Sequence, residues 1–564
     1  MAKRFATMFF IMIGVVVFLL SAFLMVLFLA PGVQIFGIKY ISVNTHGVNT
    51  GKVRIVDKFQ ELYGTSAFSG SVVINSDEVP VIVEFSESGQ DYYYQYYDNY
   101  SGITNSTFDD PSISIVRDAN GNAILTVNSF ETFVFQNANS TRYLKLYVPL
   151  ANISVNDGAG KQQYIYGSAD PGASLRYTKN LTINSENAEI SFYKNDASRA
   201  PAFNNVSIKT TGNIHYNNVH IKAMNFKFET DDTILVSSSL YTIVDAQSYD
   251  LNSTNGKVIC QRELSGNLTA TTKNGNIEVN RCKNLTINTE LGDVVSCYDN
   301  RGIEIRGIVD IKTNAGSISI SSIAGTGQNK IETGSGSVEI DKILNGTITT
   351  HRGAVALKSV NNITISTNMG NISVEEVLDS IDVSTKRGKI EIGAESMTVA
   401  NVKASSTLGK VSVIDASGTV YIDTVSSDIN FVNKNSQNIQ IYAGGKLNAQ
   451  NLKGIVSISA AETANLEFDT ISNDTKVLLK ESCSYVKIEA TSVSRNELNY
   501  FVYGNPASIY ESNNTGYATF SLFDSEKYLY NENVGKIKFE VIGDTKTGAT
   551  TAVVDIYFDS STDY

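Results

Sequence analysis

The residues of this chain that could carry a reaction are its carboxylates, histidines and cysteines. Asp310, Asp341, Asp379, Asp382, Asp415, Asp423 and Asp428 recur through the middle of the sequence. Glycoside cleavage needs two carboxyl groups at a set separation, in surroundings that split their pKa values. No segment groups these aspartates with Arg, Lys and aromatic residues, so a solvated acidic face is expected and no catalytic residue is assigned. The histidines are His46, His215, His220 and His351. His215 and His220 are the close pair, but an offset of five on a continuous strand sends them to opposite faces. No metal site is expected. Phosphate-loop, nucleophile-elbow, zinc-protease and calcium-nonapeptide motifs are absent, so no cofactor is expected either.

Cys260, Cys282 and Cys297 fall at similar places in consecutive repeats, with Cys483 further on. Small buried fillers are the plainer reading, and a bridge between neighbouring coils in an oxidising compartment is the alternative. Tyrosine is concentrated in one run, as Tyr92, Tyr93, Tyr94, Tyr96, Tyr97 and Tyr100. An aromatic platform for a glycan or a surface protein is one reading, because tyrosine combines apolar area with a polar tip. A strand whose alternate tyrosines pack inward is the other, and the simpler.

The acidic residues, 57 against 45 basic, give a net charge of −12. With no basic stripe in the sequence, that balance argues against nucleic acid and against anionic lipid as partners. Many Asn-x-Ser/Thr triplets occur, some beginning at Asn180, Asn267, Asn284, Asn362 and Asn371, as expected by chance in a chain rich in these residues.

What would position any such site is a repeated phrase, Thr-x-x-Gly-x-(Ile/Val)-x-apolar. Its glycines are Gly275, Gly292, Gly316, Gly336, Gly353, Gly370 and Gly388, spaced by 17, 24, 20, 17, 17 and 18 residues, and Gly256 and Gly409 extend the series with Ser in place of Thr. A period near twenty marks a repeat array. Apolar residues two apart on either side of the corner put one face inward, so Ile277, Ile318, Val338, Val355, Ile372 and Ile390 are expected in one interior column. The glycine is expected in the left-handed region that ends a four-residue turn. The pattern fits parallel coils of a β-solenoid or stacked antiparallel hairpins; the near-constant period favours the solenoid.

The segments Thr-Lys-Asn-Gly-Asn-Ile-Glu-Val at 272–279 and Ser-Thr-Asn-Met-Gly-Asn-Ile-Ser-Val at 366–374 resemble a bacterial family of adhesin-like β-solenoid domains. Residues 146–158 are similar to the opening of that domain, and the resemblance covers 144–490. It implies a β-solenoid with a surface-exposed binding role and carries no catalytic residues.

Near the N-terminus, Lys3 and Arg4 precede a charge-free run over 5–38, with its densest apolar part over 9–30. About 20 apolar residues cross a bilayer as a helix, and the preceding cations keep the N-terminus cytoplasmic. The expected organisation is a transmembrane anchor over 1–38, a membrane-proximal β region over 39–143, an all-β solenoid (β-helix) array over 144–490 and a C-terminal β cap over 491–564. The expected function is a non-enzymatic, single-pass cell-membrane protein with its bulk extracytoplasmic, serving surface binding or envelope scaffolding. A carbohydrate-active β-helix enzyme and an envelope sensor or assembly factor are the alternatives. Protease added outside intact cells is expected to digest the chain beyond Lys39, and protection of the whole chain would contradict this orientation.

Overall fold

The computed structural model describes residues 11–22, 34–35, 38–39, 41–42, 51–58, 71–86, 92–101, 104–105, 112–128, 139–149, 154–156, 162–164, 180–192, 202–217, 219, 221–237, 246–261, 263–296, 304–469, 475–480, 485–490, 498–503, 508–509, 517–521, 527–531, 535–543 and 552–559. His46, His220, Cys297 and Cys483 lie outside these residues. A helix covers 11–22. No helix among the described residues is long and apolar enough to cross a membrane. The remainder is β-structure, built as a β-solenoid in two compact units, residues 1–266 and 267–564.

In the first unit, Val72–Ser76, Asn180–Ser185, Ala202–Lys209, Lys222–Thr230 and Ala246–Ser253 pair in parallel, each in register with the next. A second parallel series runs through Val81–Ser86, Ile190–Phe192, Ile214–Asn217, Ile234–Ser237 and Val258–Cys260. Coils therefore begin at Val72, well before the expected start at 144. The reason is chemical. Ser76, Ser185, Thr210, Thr230 and Ser253 are all buried at the corner and bond local or neighbouring-coil backbone, so the corner persists where its glycine does not. Asn139–Pro149 lies parallel to Val81–Ser86, and Tyr93–Ser101 and Gly51–Lys58 continue that sheet antiparallel. Phe192, Tyr216, Phe226, Phe228 and Tyr249 pack ring on ring inside this unit.

In the second unit the longest strands, Val338–Thr350, Val355–Thr367 and Ile372–Thr385, run parallel through two sides of successive coils. Val338, Val355, Ile372 and Ile390 are register partners and are buried, as the repeat predicts. Among the described residues no antiparallel pairing crosses a corner; each residue pairs in parallel with its equivalent one coil on, as Val338 with Val355 and Ile348 with Ile365, which excludes the hairpin alternative. Parallel pairing continues beyond Val413, with register shifts between Val413 and Ala416 and between Ala449 and Leu452, through Ile455–Ala460 and Thr463–Phe468. Gly535–Gly543 and Ala552–Asp559 then pair parallel to Tyr485–Ala490 and Thr475–Lys480. Leu498–Tyr503 pairs antiparallel with Tyr517–Ser521.

The corner explains why Thr and Gly recur. Thr272, Thr289, Thr313, Thr333, Thr350, Thr367, Thr385, Ser406 and Thr424 are all buried. A buried hydroxyl needs a partner, and these find one three residues on. The N–H of Gly275, Gly316 and Gly388 donates to the hydroxyl of Thr272, Thr313 and Thr385 at 3.0, 2.9 and 2.9 Å. Thr350 and Thr367 instead donate to the carbonyls of Gly353 and Gly370, both at 2.7 Å. The expected left-handed glycine does not occur: positive φ is found at Gly121, Gly346, Gly393 and Gly454, not at the repeated corner. The corner glycines are required by close approach. A methyl group on Gly370 would overlap the carbonyl oxygen of Gly353, and the same holds from Gly292 to Gly409.

Gly370→Ala is therefore expected to destabilise the second unit by about 3 kcal/mol, as overpacking against a fixed backbone does. Thr385→Val strands the buried Gly388 N–H and costs about 1–3 kcal/mol, while Ser335→Ala, on the exposed part of a corner, stays within about 0.5 kcal/mol. Urea denaturation of the three variants checks the order, and equal losses for Gly370→Ala and Ser335→Ala would contradict it.

Candidate functional site

The repeated residues are consumed by backbone contacts, so chemistry has to come from side chains facing outward between them. In the first unit the sheet alternation splits the tyrosine run. Tyr92, Tyr94 and Tyr96 are 0, 3 and 0 % exposed and belong to the core, which corrects their place in a ligand platform. Tyr94 and Tyr96 lie opposite Leu146 and Leu144, and a pleated strand must bury that whole face together. Tyr93 and Tyr97 face outward. Tyr100 sits on the same strand, and its side chain lies outside the described residues.

The outward tyrosines acquire partners that sequence reasoning missed. Tyr93 is opposite Tyr147, and their rings stack at 4.1 Å and 8°. Tyr97 is opposite Tyr143, with rings at 5.0 Å and 22°. Between the two pairs lies Lys145, opposite Gln95, with its ammonium 3.2 Å from Glu84 and 5.9 Å from the Tyr143 ring centre. The Tyr147 hydroxyl donates to Gln95 Oε1 at 3.2 Å. The signal was the Tyr143-Leu-Lys-Leu-Tyr147 alternation, which only a known strand pairing could place against Tyr93 and Tyr97.

Electrostatically this patch is settled at neutral pH. Burial pulls the Lys145 ammonium down, but the Glu84 hydrogen bond and charge outweigh it and leave the pKa raised. Its contribution to stability is thus whole below the ordinary lysine value of 10.5 and is lost as pH rises through the folded value. Burial, with Glu84's charge added, also raises Tyr147, so the phenol stays protonated as a donor.

The second unit offers a shallow groove of about 510 Å³ on an outward face. Register partners Thr347, Thr364, Asp382, Lys403 and Tyr421 cross it, with Asn362 and Asn401 beside them. Lys403 binds Asp382 at 2.7 Å, and that hydrogen bond raises the lysine's pKa. Burial and the Asp423 charge raise Tyr421. The other aspartates are dispersed. Asp341 pairs with Lys358 at 2.6 Å, Asp415 approaches Lys434 at 3.9 Å, and Asp428 accepts the Lys446 N–H at 2.9 Å.

His215 lies 3.9 Å from Glu189, and His351 contacts Asn368 at 3.5 Å. Among the described residues no three His, Cys, Asp or Glu side chains gather as a metal site would require. Triplet asparagines are drawn into ladders between coils, as Asn180 with Asn205 and Asn267 with Asn284. Cys260 and Cys282 are buried thiols, and burial pushes Cys282 up to about 12.

A family model described as Toastrack DUF4097 matches residues 70–306. The match begins where the coils begin, at Val72, rather than at the expected 144. It supports a β-solenoid-like family and carries no assignment of adhesion. No curated protein and no solved structure matches the chain.

Thiolate is the reactive form of cysteine, so Cys282 is expected to resist iodoacetamide at neutral pH in the native chain and to react fully in denaturant. Peptide mass spectrometry reads both states, and rapid native labelling would contradict the buried placement.

Proposed function

We propose that the chain is a non-enzymatic β-solenoid that binds a surface ligand, a glycan or a surface protein, or serves as an envelope scaffold. The apolar run over 5–38 holds it at a cell membrane, with the bulk outside. The observation that supports binding is the outward tyrosine pairing of the first unit, Tyr93 on Tyr147 and Tyr97 on Tyr143. Each stack commits one face of each ring to its partner. The remaining faces, the phenol tips and the Lys145–Glu84 pair form a flat amphipathic patch, the composition that sugar rings and protein surfaces both accept.

A carbohydrate-active enzyme is the second reading, favoured by the groove that brings Asp382, Lys403 and Tyr421 together. That groove supplies one such carboxylate where glycoside hydrolysis uses two, which ranks it second.

Binding of the full-length, detergent-solubilised chain to an array of envelope glycans separates the readings. Retention without turnover, reduced at least tenfold in Tyr93→Ala/Tyr147→Ala with unfolding little changed, is the expected result. Turnover abolished by Asp382→Asn would establish the enzyme instead.

A further inference from the structure

The coils of the second unit assemble a basic strip that the sequence disperses. At each corner, the two residues between Thr (or Ser) and Gly stack on those of the next coil through the backbone. The Met369 N–H donates to the His351 carbonyl at 3.0 Å, Arg387 to Asn368 at 3.1 Å and Leu408 to Lys386 at 2.9 Å. Adjacent parallel strands lie about 4.8 Å apart. Arg352, Met369, Arg387 and Leu408 therefore follow one another along an edge, a rung apart, with Lys386 and Lys410 beside them.

Two properties coincide on this edge. The first is charge. Lys330, Lys358, Lys389 and Lys403 each pair with a carboxylate, whereas Arg352, Lys386, Arg387 and Lys410 make no ion pair among the described residues. None of the corner residues 334–337, 351–354, 368–371, 386–389 and 407–410 is acidic. Asp428 borders the strip and is turned to the Lys446 N–H. The second is apolar exposure: Met369, Leu408 and Val425 are 41, 56 and 67 % exposed on the same edge. Like charges one or two rungs apart repel, and exposed apolar side chains gain nothing from water. Both are relieved by one kind of surface.

We propose that this edge docks on an anionic lipid bilayer. Arg352, Lys386, Arg387 and Lys410 would meet headgroup phosphates while Met369, Leu408 and Val425 enter the headgroup–acyl boundary. Basic and apolar side chains side by side are what such an interface takes. A soluble polyanion would use the cations and leave the three apolar side chains in water, so the bilayer accounts for more of the strip. The overall acidity of the chain hides this feature, because its cations come from three separate repeats.

The chain has no tryptophan, so Leu408→Trp in the full-length protein reports on this edge alone, whatever the apolar N-terminal run does. Ser373→Trp, on an outward strand position away from the corner, is the control. With phosphatidylglycerol-containing vesicles, Leu408→Trp emission is expected to shift to the blue and to be quenched by brominated lipid, and Ser373→Trp emission to stay put. The lipid needed for half the shift is expected to rise at least tenfold when Arg352→Glu and Arg387→Glu are added, and in molar salt. Unchanged emission on anionic vesicles overturns the proposal. So does an equal shift on phosphatidylcholine vesicles or in the charge-reversed variant. Binding of polyphosphate with no shift on vesicles assigns the strip to a soluble polymer and also overturns it. Circular dichroism matching the parent chain establishes that each variant is folded.

Discussion

A carbonyl oxygen lying where a Cβ would have to be is the contact on which the coils of the second unit depend. From Gly292 to Gly409, each corner glycine rests on the backbone of the corner glycine one coil earlier. That approach lets a short turn repeat without splaying the strands on either side, so Val338, Val355, Ile372 and Ile390 stay in register as one buried column. The threonine three residues before is the second half of the device. Its hydroxyl is buried by the stacking and takes up the corner's own N–H or C=O, which would otherwise lose its water without replacement. In the first unit the hydroxyl half survives at Ser76, Ser185 and Thr210 with less glycine, and the parallel pairing survives with it.

How much of this was legible in the sequence follows from what each signal depends on. The inward columns and the corner positions were readable because both are periodic in the chain itself. The reason for glycine was misread, because a sequence shows only that a Cβ is missing; the structure shows a neighbouring coil occupying its place. The start of the array was placed too late for a related cause. Its first corners use serine and lack the glycine, so a search keyed to glycine passes over them. Of the tyrosine run, alternation alone foretold that part would be buried. Which ring meets which depends on Asn139–Pro149 lying against Tyr93–Ser101, and no local pattern encodes that pairing.

The phrase that identifies the fold leaves no side chain over for chemistry. What remains outside is a stacked tyrosine patch with Lys145 and Glu84 in the first unit, and a groove and a corner edge in the second. These are flat or shallow surfaces. A net charge of −12 describes the chain as a whole, whereas stacking concentrates cations drawn from separate repeats on one edge.

The central claim is that equivalent residues of successive coils lie side by side in parallel register. Ala356 and Ser373 face outward as register partners, and adjacent parallel strands sit at about the Cα separation a disulfide spans. Oxidation of the full-length chain carrying Ala356→Cys and Ser373→Cys should join the two, as read by peptide mass spectrometry, while Ala356→Cys with Thr349→Cys, across one corner, should stay unjoined. Joining across the corner and not between coils would mean that the repeats are hairpins, and would contradict the account.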